Sequence, residues 1–141
     1  MFNPEEFMNT TTEGEFSTQR ELVESGEYSA IVEQLEAKTV GDRNLPIISV
    51  RYKLINTGQE GLDGRIIFDT IWLDVDDAGN LMRGPGKNIR LGQLLEAVGM
   101  NGKAWSPGQL QGQPVLVAVG QRQNKRSGEM ENTISKVAMA A

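Results

Sequence analysis

The sequence contains no cysteine and no histidine. Without cysteine there are no disulfides, thiolate nucleophiles, iron–sulfur clusters or zinc sites built on sulfur. Without histidine, the commonest general base and the other usual zinc ligand are missing. Ser-His-Asp and Cys-His enzymes are therefore excluded, and only carboxylate-based Mg²⁺ chemistry or a lysine-based mechanism stays formally open. No apolar run approaches the roughly 18–20 residues needed to span a bilayer. The opening MFNPEEFMNTTTEGEF has neither the basic start nor the apolar stretch of a secretory signal. The expectation is a cytoplasmic, non-enzymatic protein with no cofactor, no metal and no membrane partner. Aromatic residues are scarce as well, at 6%, so each ring has to be accounted for.

What is present suffices for one domain, since 141 residues can close a single modest core. A hydrophobic content of 38% and a charged content of 23% are globular values and argue against wholesale disorder. The net charge of −5 hides an asymmetry. Residues 1–36 carry nine acids against the single base Arg20, a balance of −8, whereas residues 37–141 carry thirteen bases against ten acids, a balance of +3. An acidic head on a mildly basic body is either a solubilising arm or a segment that competes with a polyanion for the body or docks on another protein. Residues 1–20 show no sustained period, so they read as a flexible acidic arm with one helical turn at Pro4–Met8. Residues 21–141 read as the folded domain.

From Gly26 the pattern becomes one of strands. GEYSAIVEQLEAKT alternates, with Ile31, Glu33 and Leu35 on one face and Tyr28, Ala30 and Val32 on the other. After the turn residues VGDRNLP, IISVRYKLI places Ile48, Val50, Tyr52 and Leu54 inward and Ser49, Arg51 and Lys53 outward. RIIFDTIWLDV is apolar on both faces, so it must be covered on both or lie against a ligand. KNIRLGQLLEAVGMNG carries Leu91, Leu94, Leu95 and Val98 at helical spacing, with Asn88 as the expected N-cap and Gly99 suited to a left-handed C-terminal position. A loop holding Trp105 and Pro107 follows, then strands QPVLVAVGQ and TISKVAMA flanking the polar hairpin QNKRSGEMEN. The order strand-strand-strand-helix-strand-strand matches an OB-like five-stranded Greek-key barrel, mainly β, with its helix between strands three and four.

Such barrels bind through the face of strands two and three and through the loops joining strands one–two and four–five. Arg51 and Lys53 share the outward face of strand two, Arg65 opens strand three, and Arg122, Lys125 and Arg126 cluster at the hairpin between strands four and five. A single nucleic-acid strand needs cations for phosphates and exposed rings for bases. Trp72 and Trp105 complete the candidate set, with Phe68, Tyr52 and Tyr28 as further rings. Each has a plain counterpart. NKRSG can be a solvated tip, and Arg51 and Lys53 an ordinary exposed face. Phe68 and Trp72 share a face that reads as core, Tyr52 reads as core with its hydroxyl at the rim, and Trp105 can fold back as a lid. LDVDDAGN lacks the closing glutamate and the flanking helices of a calcium loop and reads as a turn. RGPGKN is not a P-loop.

The succession GEYSAIV, GRIIFDTIWL, LGQLLEAVG and QPVLVAV resembles that of small phage and prophage single-stranded DNA-binding proteins linked to recombination and replication. The similarity is one of rhythm and spans about residues 22–137. It implies an OB-like fold, binding of single-stranded DNA with little base preference, a location in the host cytoplasm, and phage or host replication or recombination proteins as partners. Many such proteins carry an acidic recruiting tail at the C-terminus, whereas this chain is acidic at its N-terminus and ends in SKVAMAA. The alternative expectation is an adaptor that engages a phage or host protein through the acidic arm.

Overall fold

The computed structural model describes residues 1–16 and 21–140. Its strands are β1 (Gly26–Val40), β2 (Leu45–Leu54), β3 (Ile66–Trp72), β4 (Pro114–Gln123) and β5 (Met130–Met139). The helices are α1 (Pro4–Met8), α2 (Ile89–Ala97) and the single turn α3 (Pro107–Leu110). The predicted order of strands and main helix holds. The added turn α3 lies where the sequence suggested only a loop. Pro107 fits its first position, and the Ser106 N–H donates to Gln109 Oε1 at 2.9 Å.

All ladders are antiparallel, in the order β3-β2-β1-β4-β5. The edge strands β3 and β5 meet in space, so the sheet curls on itself. No ladder joins them among the described residues. The closed Greek-key barrel expected from the sequence is therefore an open five-stranded sheet with a seam. Helix α2 packs against both strands at that seam.

The core follows the strand and helix periods. Ile48, Val50, Tyr52 and Leu54 of β2, Ile67 and Ile71 of β3, and Val115, Val117 and Val119 of β4 are buried with Leu91, Leu94 and Leu95 of α2. Each large aliphatic side chain buried this way contributes about 1.5–3 kcal/mol. Strand β1 departs from simple alternation. Ala30, Val32 and Leu35 are all buried, because the register with β2 shifts between Val32 and Gln34. The extra residue, Glu33, forms a bulge that turns Leu35 onto the core face and corrects its expected orientation.

Two further expectations change. The Tyr52 hydroxyl is buried without a hydrogen-bond partner instead of reaching the rim, and burial, followed by the Asp69 charge, raises its pKa. Asn88 occupies the N-cap position of α2 in a left-handed conformation, but its side chain caps nothing there. Its Oδ1 accepts from the Asp74 N–H at 2.7 Å, and its Nδ2 donates to the carbonyls of Asp74 and Met82, both at 2.9 Å. The loop before the helix is thereby tied to the end of β3. Gly99 takes the expected left-handed position, with φ 74°, and Met100 N–H closes the helix end on the Leu95 carbonyl at 2.8 Å.

Candidate functional site

Strand β3 points Ile67, Asp69 and Ile71 into the molecule and Phe68, Thr70 and Trp72 outward. Phe68 and Trp72 are 59% and 57% exposed, so neither belongs to the core in which the sequence placed them. An apolar row on each face of one strand looked like burial on both sides, yet only one row is covered. The two rings lie four residues apart on one face, about 13 Å along the strand. Across the ladder Arg51 pairs with Phe68 and sets its guanidinium 5.5 Å from the ring centroid. Glu33, brought there by the bulge, lies 3.8 Å from Arg51 Nε. Lys53 faces Ile66 one step further along the same row.

The inward residue Asp69 reveals a part of the site that the sequence did not suggest. Arg90 of α2 forms an ion pair with it and also donates to the Ile134 carbonyl of β5 at 3.3 Å. One guanidinium thus clips the helix to both edge strands across the seam that has no ladder. Burial raises the Asp69 pKa to about 6, against the opposing pull of Arg90, a Thr70 backbone hydrogen bond and Arg122. The available signal was a lone carboxylate at an inward position between two isoleucines, which needs a cationic partner.

A groove of about 660 Å³ runs along the seam between the ring row of β3 and the start of β5. It brings together three of the predicted residues, Arg65, Trp72 and Arg122, and adds Phe68 and Arg90. Its cations are offset internally, since the four acids Glu21, Asp69, Glu129 and Glu131 also line it beside the three arginines. Arg65 donates to the Glu21 carbonyl. Arg122 lies within β4, not in the loop, and its Nε donates to Glu131 Oε1 at 3.0 Å. That bond, with help from Asn124, holds the Glu131 pKa below its ordinary value. The remaining cations of the cluster, Lys125 and Arg126, stand exposed on the turn between β4 and β5. Among the described residues neither has an acid within ion-pair distance. The Asn124 side chain accepts from the Arg126 N–H at 2.9 Å and shapes the turn.

Trp105 does not join this site. It packs half-buried against the core and lines a separate cavity of about 190 Å³ beside α2 with Leu91, Leu95 and Lys87. Among the described residues there is no cluster of three or more potential metal ligands, and no helix is long and apolar enough to cross a membrane.

Residues 9–140 match the family described as "Protein of unknown function (DUF669)", and the chain belongs to that family. No curated protein matches the sequence.

Proposed function

We propose that this DUF669 member is a non-enzymatic protein that binds single-stranded DNA with little base preference. The face of β2 and β3, with the β4–β5 turn, is its binding surface. The observation that carries the reading is the outward row of β3. Two large rings lie more than half exposed on one strand face, and a guanidinium lies over one of them, 5.5 Å from its centroid. Exposed rings at this spacing offer stacking platforms to any base, because every base has a π-face. Lys53, Lys125 and Arg126 supply cations for phosphates around the rings. The slight excess of acid in the groove favours phosphates at the rim, with the seam as a wall beside the bases.

The same reading takes the open sheet as an OB-like barrel left unclosed between β3 and β5, since that fold places its ligand on this face. A phage origin, a role in replication or recombination, and a host-cytoplasmic location follow from the sequence resemblance. The adaptor reading keeps one specific support, the exposed acidic segment with its own short helix. A titration with fluorescent oligo-dT at two salt concentrations tests the proposal. Binding at low salt that weakens steeply as salt rises is expected, and no binding at low salt overturns it.

A further inference from the structure

Every phenylalanine of this chain lies outside the core. Phe2, Phe7 and Phe16 of the N-terminal segment are 69%, 55% and 82% exposed, and Phe68 of the body is 59% exposed. Fully burying such a ring is worth about 1.5–3 kcal/mol, so four exposed ones point to surfaces that are covered in another state.

The N-terminal segment is shaped for such an encounter. Asn3 Oδ1 accepts from the N–H groups of Glu5 and Glu6 at 3.0 and 3.2 Å, and Pro4 opens the turn. Phe2 packs on Phe7 with ring centroids 5.4 Å apart, which locks the entry of the chain. Asn9 Nδ2 donates to the Glu5 carbonyl at 3.0 Å. These are all local interactions, and α1 buries none of its residues. Residues 1–16 also carry four glutamates and no lysine or arginine.

The attachment point lies beside the ring face. Val23 is fully buried, with its N–H bonded to Asn132 Oδ1 at 2.9 Å and its carbonyl to Asn132 Nδ2 and Gln121 Nε2 at 2.8 and 3.0 Å. Glu21, held by Arg65, lines the groove that Phe68 and Trp72 border. The fourteen steps from Glu21 back to Phe7 reach up to about 50 Å, enough to lay α1 on the ring face of the same molecule. A tether of this kind gives an effective concentration on the order of millimolar.

We propose that the β2–β3 ring face is a docking site for an acidic, phenylalanine-bearing peptide, and that its occupant is residues 1–16 of the same chain. Phe2 and Phe7 cover Phe68 and Trp72, and Glu5 and Glu6 meet Arg51 and Lys53. The exposed arrangement of residues 1–16 is then the undocked state. The inference shares its surface with the proposed DNA site, but it does not require DNA.

The test uses Trp72 as reporter in the full-length Trp105→Phe chain, without DNA. With the segment docked, Trp72 emits further to the blue and resists acrylamide quenching. Combining F2A and F7A, or raising salt to 1 M, reverses both effects. Should Trp105→Phe fail to fold, the Trp72 indole N–H resonance of the otherwise unaltered chain reports the same change between parent and F2A/F7A. Identical Trp72 signals in parent and F2A/F7A overturn the docking. A docked signal that fades on dilution overturns the intramolecular occupant in favour of a second copy. Docking without any oligo-dT binding sustains this inference while removing the DNA reading. Oligo-dT binding without docking does the reverse.

Discussion

Arg90 and Asp69 close the seam that the sheet leaves without a ladder. The arginine comes from α2 and the carboxylate from β3, and the same guanidinium reaches the Ile134 carbonyl of β5. Asp69 is 9% exposed, whereas the Arg90 side chain keeps 42% of its surface in water, so most of the desolvation cost falls on the carboxylate.

That imbalance sets a pH dependence. The folded Asp69 pKa of about 6 lies above its ordinary 3.8, so between about pH 4 and pH 6 the folded chain holds a proton that the unfolded chain has released. Stability from this group is fully present below about pH 4 and is lost as pH rises through 6. In urea melts, Asp69→Asn flattens this window and is at least as stable as the parent at pH 7. Arg90→Ala costs about 2 kcal/mol at pH 7 and moves the Asp69 titration upward, because the buried carboxylate loses its partner. Equal pH profiles for parent and Asp69→Asn would refute this account.

The two exposed rings separate binding from folding. Phe68→Ala and Trp72→Ala each weaken oligo-dT binding by about 1–3 kcal/mol, the range for one base–ring stack. Unfolding midpoints shift little, by about 0.5 kcal/mol or less, as for other surface substitutions. Anisotropy titrations beside urea melts make the comparison. Large losses of stability would return both rings to a structural role.

The turn between β4 and β5 divides its cations into two kinds. Combining Lys125→Ala with Arg126→Ala reduces the slope of log K against log salt by about 0.7 for each phosphate no longer neutralised. Arg122→Ala, whose guanidinium already serves Glu131, changes the slope less and lets the Glu131 pKa rise toward its ordinary value. A steeper effect from Arg122 alone would place the phosphate path inside the groove.

Removal of residues 1–16 leaves the fold intact and strengthens single-strand binding, most of all at low salt, where screening is weakest. Extending the deletion through Glu24 removes buried Val23 and its three hydrogen bonds and destabilises the domain by several kcal/mol. Circular dichroism melts and oligo-dT titrations of the two truncations check both statements. Unchanged DNA affinity in the shorter deletion would leave the segment a solubility device or a docking peptide for another protein.

Where the alternation is strict the sequence was sufficient, as in β2, whose inward row from Ile48 to Leu54 is buried as expected. The β1 bulge carried no mark, since one extra residue changes phase without changing composition. Phe68 and Trp72 misled because apolar side chains on both faces of a strand read the same whether a protein layer or a ligand covers them. Arg90 was hidden in the polar complement of an amphipathic helix, and only its partner's isolation among isoleucines hinted at it. Trp105 carried no signal of its destination, because a loop leaves the direction of its side chains to tertiary packing.

The bulge at Glu33 gives β1 one residue more than its ladder with β2 counts, so the strand is unequally tolerant of shortening. Deleting Glu33 would leave Val32 opposite Tyr52 and Leu35 opposite Val50, and both core rows would keep their phase. The loss would fall on the outer face, where Arg51 would forfeit its carboxylate neighbour beside the Phe68 ring. Deleting a residue between Gly26 and Val32 has no such spare to draw on, and it would turn one half of the strand's inward row toward water. Related sequences should therefore shed a single residue at Glu33 or at the exposed Gly41–Asn44 turn, and keep the count from Gly26 to Val32 fixed.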